Sequence, residues 1–139
     1  MNGEPLDVLL VEDQVDHAEL VMRSFEDHHV ANRIHHVTDG AAALDYLYGR
    51  GDFAAEGSHP RPHLVLLDLR LPKVDGIEVL KAIKETPELQ RIPVVVLTTS
   101  EAERDLAAAY DYRANSYLVK PLDFKKFSKL ISDLGFYWL

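Results

Sequence analysis

The chain has 139 residues, 47 % of them hydrophobic, and a formal net charge of −8; this suits one domain with a buried core and excludes a disordered tail. It contains no cysteine, which excludes a disulfide framework, a thiolate zinc site and a cysteine nucleophile. The acidic balance argues against binding nucleic acid or an anionic membrane by charge alone, and favours a cation or a partner with a basic patch.

Five short runs rich in apolar residues, the second of them weaker, alternate with stretches of helical spacing. Nearly unbroken apolar runs of this length are typical of strands that are buried on both faces of a parallel sheet. The predicted strands are Val8–Val11, Arg33–Val37, Leu64–Leu67, Val94–Leu97 and Tyr117–Val119.

Apolar residues three and four positions apart predict a helix after each strand. The second helix is expected to begin at Asp39, a plausible N-cap. The alternation indicates an α/β fold: a flavodoxin-like (βα)₅, doubly wound parallel sheet with strand order 2-1-3-4-5 and right-handed crossovers. The apolar positions of the five helices include Ala18, Val21, Met22 and Phe25; Ala43, Leu44 and Leu47; Ile77, Leu80 and Ile83; Leu106, Ala109 and Tyr110; and Phe124, Phe127, Leu130, Ile131 and Leu134.

Two segments interrupt this pattern. Residues 49–62 contain three glycines and two prolines and have no periodicity, so we expect a long exposed loop before the third strand. The tail 136–139 is apolar and follows a probable helix stop at Gly135. Residues 1–139 are otherwise expected to form one domain. Residues 1–5 show no secretory signal, and the apolar runs are too short to cross a bilayer, so a cytoplasmic location is expected.

Polar residues follow four of the predicted strands. Glu12 and Asp13 follow the first, Asp68 the third, Thr98 the fourth and Lys120 the fifth. In open parallel α/β sheets, ligands bind beyond the carboxyl ends of the strands at the switch point of the topology. With strand order 2-1-3-4-5, the three acids are expected to share one pocket that Thr98 and Lys120 flank.

These residue types suit Mg²⁺ and phosphoryl transfer. Clustered carboxylates repel one another unless a cation is present, and an all-oxygen ligand set favours a hard metal such as Mg²⁺. A carboxylate can also attack phosphorus to give an acyl phosphate. The transferred group needs a cation, an ammonium group and a hydroxyl donor, which Mg²⁺, Lys120 and Thr98 would supply.

The segments that carry these residues resemble the receiver domains of two-component response regulators, and the resemblance covers essentially the whole chain. Each segment is weak evidence alone, but all four in this order at strand ends are highly specific. They are Val11–Asp13, Leu67–Gly76, Val96–Thr98 and Tyr117–Pro121.

The resemblance implies a role for each matching position in the acid pocket. Asp68 would be the phospho-acceptor, in a protein that is a signalling switch and not a multiple-turnover enzyme. Asp13 and Asp68 would bind Mg²⁺ directly, Glu12 would help to hold it, and Arg70 would contribute its backbone carbonyl.

The resemblance also implies a switch and an output surface. Thr98 would hydrogen-bond a phosphoryl oxygen and move inward, Lys120 would pair with the phosphoryl group, and Tyr117 would be the coupled rotameric switch. The fourth helix, fifth strand and fifth helix would form the output face. Residues expected at the output or dimer surface are Phe124, Phe127, Phe136, Tyr137 and Trp138.

The long loop and the aromatic tail resemble the small receivers that serve phytochrome-type histidine kinases. This implies a sensor histidine kinase as phosphoryl donor, a homodimer, and a possible downstream phosphotransfer protein, in light signalling. Two positions depart from the common pattern: Thr99 stands where Ala or Gly is usual, and Arg113 where Gly is usual. These departures are expected to affect the kinetics of phosphorylation and the shape of the output face.

Other interpretations of the same residues remain open. Glu12 and Asp13 could merely cap the first helix, and Tyr117 could be plain core packing. An aspartyl-phosphate phosphohydrolase is disfavoured because Arg70 stands where a second Asp would be needed. A flavodoxin-type binding module is disfavoured because no phosphate loop follows the first strand. A receiver fold used only as a dimerisation scaffold, and a zinc site built from the histidines, are further alternatives.

Overall fold

A computed structural model describes residues 6–27, 32–55, 57, 59–69, 71, 73–98, 116–119, 125, 126 and 129. Its strands form one parallel sheet in the order β2-β1-β3-β4-β5. The strands are β1 (Leu6–Val11), β2 (Asn32–Val37), β3 (Leu64–Asp68), β4 (Val94–Thr98) and β5 (Ser116–Val119). The predicted fold class and strand order are confirmed, and the predicted strands match to within two residues at each end.

The described helices follow the predicted alternation. They are α1 (Val15–Asp27), α2 (Gly40–Tyr48) and α3 (Gly76–Glu85), with a single 3₁₀ turn at Gly51–Phe53. The predicted fourth helix lies outside the described residues. Of the predicted fifth helix, the structure describes Lys125, Lys126 and Lys129, which are helical and exposed. None of the helices in the described part of the chain is long and apolar enough to span a membrane.

The central strands are buried on both faces, as expected for a parallel sheet with helices packed on its two sides. All five residues of β3 and all five of β4 are buried, as are Val8–Val11 of β1. Burying one Val or Leu side chain contributes roughly 1.5–3 kcal/mol, so these runs supply much of the energy that holds the sheet. One cluster in this core joins alternate residues of the strands to the inner faces of α2 and α3, including Leu9, Val65, Leu67, Ala43, Leu47, Leu80 and Ile83.

The start of α2 is fixed by its N-cap and by the loop that follows β3. Asp39 accepts a hydrogen bond from the backbone N–H of Ala42 at 2.7 Å, which confirms it as the N-cap. Gly40 lies so close to Val74 that a Cβ would overlap the Val74 carbonyl oxygen. Lys73 adopts a left-handed backbone with φ 69°, and its Nζ lies 3.6 Å from Asp39 Oδ2. The β3–α3 loop is therefore docked on the first turn of α2.

The segment between α2 and β3 is better anchored than the predicted exposed loop. Gly49 ends α2 in the left-handed conformation, with φ 64°. Phe53 packs against the core cluster, and Pro62 is buried. The Tyr46 hydroxyl donates to the carbonyl oxygen of Pro60 at 2.8 Å. Apolar anchors and a buried hydroxyl thus hold a segment whose composition shows no periodicity.

Candidate metal centre

Glu12 leaves β1 under tight constraint. Its backbone N–H donates to the Val37 carbonyl at 3.1 Å, which continues the β1–β2 ladder one residue beyond the end of β1. Its side chain is completely buried, and Oε2 accepts from the backbone N–H of Gln14 at 3.2 Å. A carboxylate can stay buried only when polar partners or a cation satisfy it. Glu12 therefore supports the turn before α1 and still faces a site that favours positive charge.

Asp68 is the last residue of β3 and is 6 % exposed. It is paired in register with Leu97 of β4, and the next residue, Leu69, donates its N–H to the Leu97 carbonyl at 3.2 Å. The backbone at Asp68 is also covered by Gly76, where a Cβ would overlap the Asp68 carbonyl oxygen. A glycine at the first residue of α3 therefore lets this helix pack directly against the end of β3.

Glu12, Asp13 and Asp68 converge at the carboxyl edge of the sheet. One carboxylate oxygen from each lies within 4.8 Å of the others, because β1 and β3 are neighbours and Val11 pairs with Leu67. Three negative charges at this separation repel one another unless a cation lies between them. The donor set is entirely oxygen, which fits Mg²⁺ or a similar hard divalent ion.

Thr98 closes β4 beside this cluster and is completely buried. The backbone of Tyr117 lies in β5 and pairs with Val96; its role as a switch stays a prediction. The remaining predicted site residues lie outside the described part of the chain, as do both positions that depart from the common receiver pattern. These residues are Arg70, Lys120, Phe124, Phe127, Phe136, Tyr137 and Trp138, together with Thr99 and Arg113.

Two histidines contact Glu12, and sequence reasoning assigned neither of them a role. His36 of β2 is hydrogen-bonded through Nε2 to the Glu12 carbonyl oxygen at 2.8 Å. His17, on the first turns of α1, places Nδ1 3.6 Å from Glu12 Oε1, with 39 % of its side chain exposed. The predicted parallel pairing could have indicated the His36 contact, because it puts the end of β2 beside the end of β1.

Comparison with known families agrees with this geometry. The profile of the response regulator receiver domain matches residues 8–132, which include the acid cluster, four complete strands and most of β1. The chain belongs to the response regulator receiver family. The resemblance carried by the strand-end motifs is thereby confirmed.

Curated relatives cover almost the whole of this receiver. It is 49 % identical to the probable methanogenesis regulatory protein FilR2 of Methanothrix harundinacea, over 98 % of this chain and 85 % of that protein. It is 42 % identical to the response regulator Rcp1 of Synechocystis, over 99 % of this chain and 92 % of that protein.

Solved structures show the same fold. The bacteriophytochrome response regulator AtBRR superposes with a TM-score of 0.86 at 43 % identity, over 98 % of this receiver and 96 % of that chain. The Mn²⁺-bound form of Rcp1 superposes with a TM-score of 0.76 at 41 % identity, over 94 % and 92 %. The phosphorylated cyanobacterial phytochrome response regulator RcpA superposes at 0.78 and 37 % identity, over 97 % and 94 %. Of these three proteins, AtBRR and RcpA are phytochrome response regulators, and Rcp1 binds Mn²⁺ in its solved structure.

Proposed function

We propose that this receiver accepts a phosphoryl group on Asp68 from a sensor histidine kinase, in a reaction that requires Mg²⁺. The observation that carries the proposal is the approach of Glu12, Asp13 and Asp68 to within 4.8 Å of one another. A strand-end acid alone has many structural uses. Three acids from two adjacent strand ends, two of them buried, create a local charge that a divalent ion would neutralise.

In this mechanism Asp68 is the nucleophile. One carboxylate oxygen attacks the phosphorus of the kinase phosphohistidine, an O–P bond forms, and the P–N bond breaks to leave the imidazole on the kinase. Bound Mg²⁺ would neutralise charge on the phosphoryl oxygens. Asp13 and Asp68 would bind the ion directly, with Glu12 and the Arg70 carbonyl completing the protein ligands.

The strand ends next to Asp68 would bind the transferred group. Thr98 lies one residue beyond the residue that pairs with Asp68, so its hydroxyl is placed on the strand that borders the acceptor. Lys120 follows β5, the next strand in the sheet, and would supply an ammonium group. The product is a phosphoprotein that signals by protein contact, not an enzyme that turns over a small substrate.

We further propose a phytochrome-type kinase as the donor, because two relatives of nearly the same length, AtBRR at 43 % and RcpA at 37 % identity, are phytochrome response regulators. FilR2, at 49 % identity, is described as a methanogenesis regulator, so the fold alone does not set the pathway.

Output would pass through a homodimer or to a phosphotransfer protein, in the cytoplasm. The surface proposed for these contacts consists of Phe124, Phe127, Phe136, Tyr137 and Trp138, with Tyr117 as the switch.

Labelling with a small acyl-phosphate donor tests the acceptor. We expect Mg²⁺-dependent phosphorylation of the native chain, loss of labelling on chelation, and no labelling of Asp68→Asn. Asp52→Asn is the matched control, because Asp52 is an exposed acid on the 3₁₀ turn and should label normally. Equal labelling of the native chain and Asp68→Asn would refute the assignment, and multiple turnover of phosphate esters would favour a phosphohydrolase.

Transfer from purified kinases tests the partner. Phosphorylated phytochrome-type and unrelated histidine kinases are each mixed with the receiver, and the initial rates of transfer are compared. A rate at least ten times higher from the phytochrome-type kinase is the expected result.

Light scattering before and after phosphorylation gives the oligomeric state, and a monomer in both states would exclude the homodimer.

A further inference from the structure

Strand β2 holds the segment that carries Glu12 and Asp13 through a backbone hydrogen bond and through the side chain of His36. Regular pairing of β1 with both of its neighbours ends at Val11. Beyond that point the Glu12 N–H bonds to the Val37 carbonyl at 3.1 Å, and the Glu12 carbonyl is bonded to His36 Nε2 at 2.8 Å. Because a carbonyl oxygen can only accept, the imidazole must donate its Nε2–H.

We propose that His36 is a positioning residue for the metal centre, an inference that rests on the proposed Mg²⁺ site. The ladder bond from Glu12 N–H and the His36 hydrogen bond to the Glu12 carbonyl hold the two peptide units that flank the Glu12 Cα. The carbonyl that His36 binds belongs to the peptide unit that joins Glu12 to Asp13. Its orientation therefore sets the direction in which the Asp13 side chain leaves the backbone towards Asp68.

The energetic case follows from how metal sites depend on their supporting contacts. Three carboxylates repel one another before the ion binds, so this backbone would relax away from Asp68 if nothing held it. Hydrogen bonds that orient metal ligands typically change metal affinity about 10- to 100-fold when they are removed. His36 is partly buried and on the edge strand, where it touches the Glu12 backbone without competing for the carboxylate oxygens.

The neighbouring histidine provides a contrast within the same strand. His35 places Nε2 3.1 Å from Asp7 Oδ1, and its ring lies 5.5 Å from that of Tyr46. Asp7 is near the amino end of β1, at the opposite end of the strand from Glu12. Substituting His35 should therefore disturb β2 without touching the Glu12 peptide.

The test compares His36→Gln with His36→Met, which have similar size and differ in their ability to donate. Glutamine has the same number of bonds from Cα to its terminal nitrogen as histidine has to Nε2. Mg²⁺ affinity is measured by calorimetry, and the urea midpoint is measured in metal-free buffer. We expect His36→Met to weaken Mg²⁺ binding about 10-fold and His36→Gln to stay within about threefold of the native chain. His35→Gln should shift the urea midpoint and leave Mg²⁺ affinity unchanged.

Each other outcome is decisive. Equal Mg²⁺ affinity of His36→Met and the native chain overturns the positioning role while leaving the proposed function intact. An equal loss of Mg²⁺ affinity in His36→Met and His36→Gln would show that the effect is merely structural. A loss of Mg²⁺ affinity in His35→Gln that parallels its loss of stability would show the same. If the native chain itself binds no Mg²⁺, the proposed function fails first, and the inference fails with it. If His36→Met does not fold, His36→Phe serves as the variant without a donor.

Discussion

Arg33 holds Asp7 with two hydrogen bonds, from Nε to Oδ1 at 3.0 Å and from Nη2 to Oδ2 at 3.1 Å. Asp7 is 5 % exposed, and its own N–H donates to His63 Nδ1 at 2.9 Å, while His63 N–H donates back to the Asp7 carbonyl at 2.7 Å. A bidentate guanidinium–carboxylate pair is among the stronger polar contacts in proteins. This pair joins β2 to β1 at the amino end of the sheet.

The pH dependence of stability should report on this pair. Burial raises the pKa of Asp7, but hydrogen bonds and charge from Arg33 and His35 outweigh it and hold the pKa below the ordinary 3.8. Asp7 therefore contributes stability that is present above pH 3.8 and lost as the pH falls through its folded-state pKa. At pH 7 we expect Asp7→Asn to lower the free energy of unfolding by about 1–3 kcal/mol, with a smaller difference at about pH 2, measured by urea unfolding.

A surface pair provides the control for that experiment. Arg50 Nε lies 2.8 Å from Asp45 Oδ1, and the two side chains are 58 % and 38 % exposed, whereas those of Arg33 and Asp7 are 60 % and 7 % exposed, so the pairs differ in the burial of the carboxylate. Solvent screens such pairs, so Asp45→Asn should change the free energy of unfolding by less than about 0.5 kcal/mol. A loss as large in Asp45→Asn as in Asp7→Asn would show that burial does not decide the strength of these contacts.

Removing the hydroxyl of Tyr46 should loosen the segment before β3. Burial, with a contribution from the charge of Asp7, raises the pKa of Tyr46, so the hydroxyl keeps its proton and donates to Pro60. Tyr46→Phe should cost about 1–2 kcal/mol and speed proteolysis within residues 51–62. Tyr48→Phe is the comparison, because its hydroxyl bonds to Thr86 at an exposed position; similar proteolysis rates in the two variants would contradict this account.

Two glycine variants should separate an effect on the free energy of unfolding from an effect on the phosphorylation of Asp68. In Gly76→Ala the new methyl group overlaps the Asp68 carbonyl, and in Gly40→Ala it overlaps the Val74 carbonyl. Both should lose about 1–3 kcal/mol of unfolding free energy because tightly packed sites resist added volume. Gly76→Ala should also slow phosphorylation, since it displaces the acceptor backbone. The measurement is the initial labelling rate relative to the folded fraction, and a ratio that is the same in both variants would count against the proposed acceptor.

Because the acids of the cluster repel one another, removing one of them should stabilise the metal-free protein, unlike the substitutions above. Asp13→Asn removes one of the three charges, so without metal it should be more stable than the native chain by about 1 kcal/mol, or roughly 3–5 °C in melting temperature. Saturating Mg²⁺ should stabilise the native chain through mass action and have little effect on Asp13→Asn. Thermal melts with and without Mg²⁺ measure both effects, and an equal Mg²⁺ response in the two proteins would remove Asp13 from the ligand set.

The sequence predicted some parts of the structure well. These parts depend on local patterns that tertiary contacts cannot easily override. The runs Val8–Val11, Leu64–Leu67 and Val94–Leu97 are apolar throughout because both faces are covered, and Asp39 caps α2 with a local hydrogen bond. The convergence of Asp13 and Asp68 followed from strand order, because neighbouring parallel strands end at the same edge of a sheet.

What could not be predicted depends on contacts between distant residues. The bond from His36 to Glu12 requires the register of β1 against β2, which apolar runs do not define to one residue. Phe53 reaches the core from a segment without periodicity, so no repeat could indicate its burial. The left-handed backbone of Lys73 is not expected from its residue type and is held by the docked β3–α3 loop.

The all-parallel pairing of the sheet also constrains how the protein is made. Val11 pairs with Val37 on one side and Leu67 on the other, so neither neighbour of β1 can form through a tight hairpin. A nascent chain that has emerged only as far as residue 63 carries Glu12 and Asp13 without the acid that completes their cluster. The acid cluster can therefore assemble only once synthesis has passed β3, and Mg²⁺ binding by ribosome-bound chains of increasing length would show that onset.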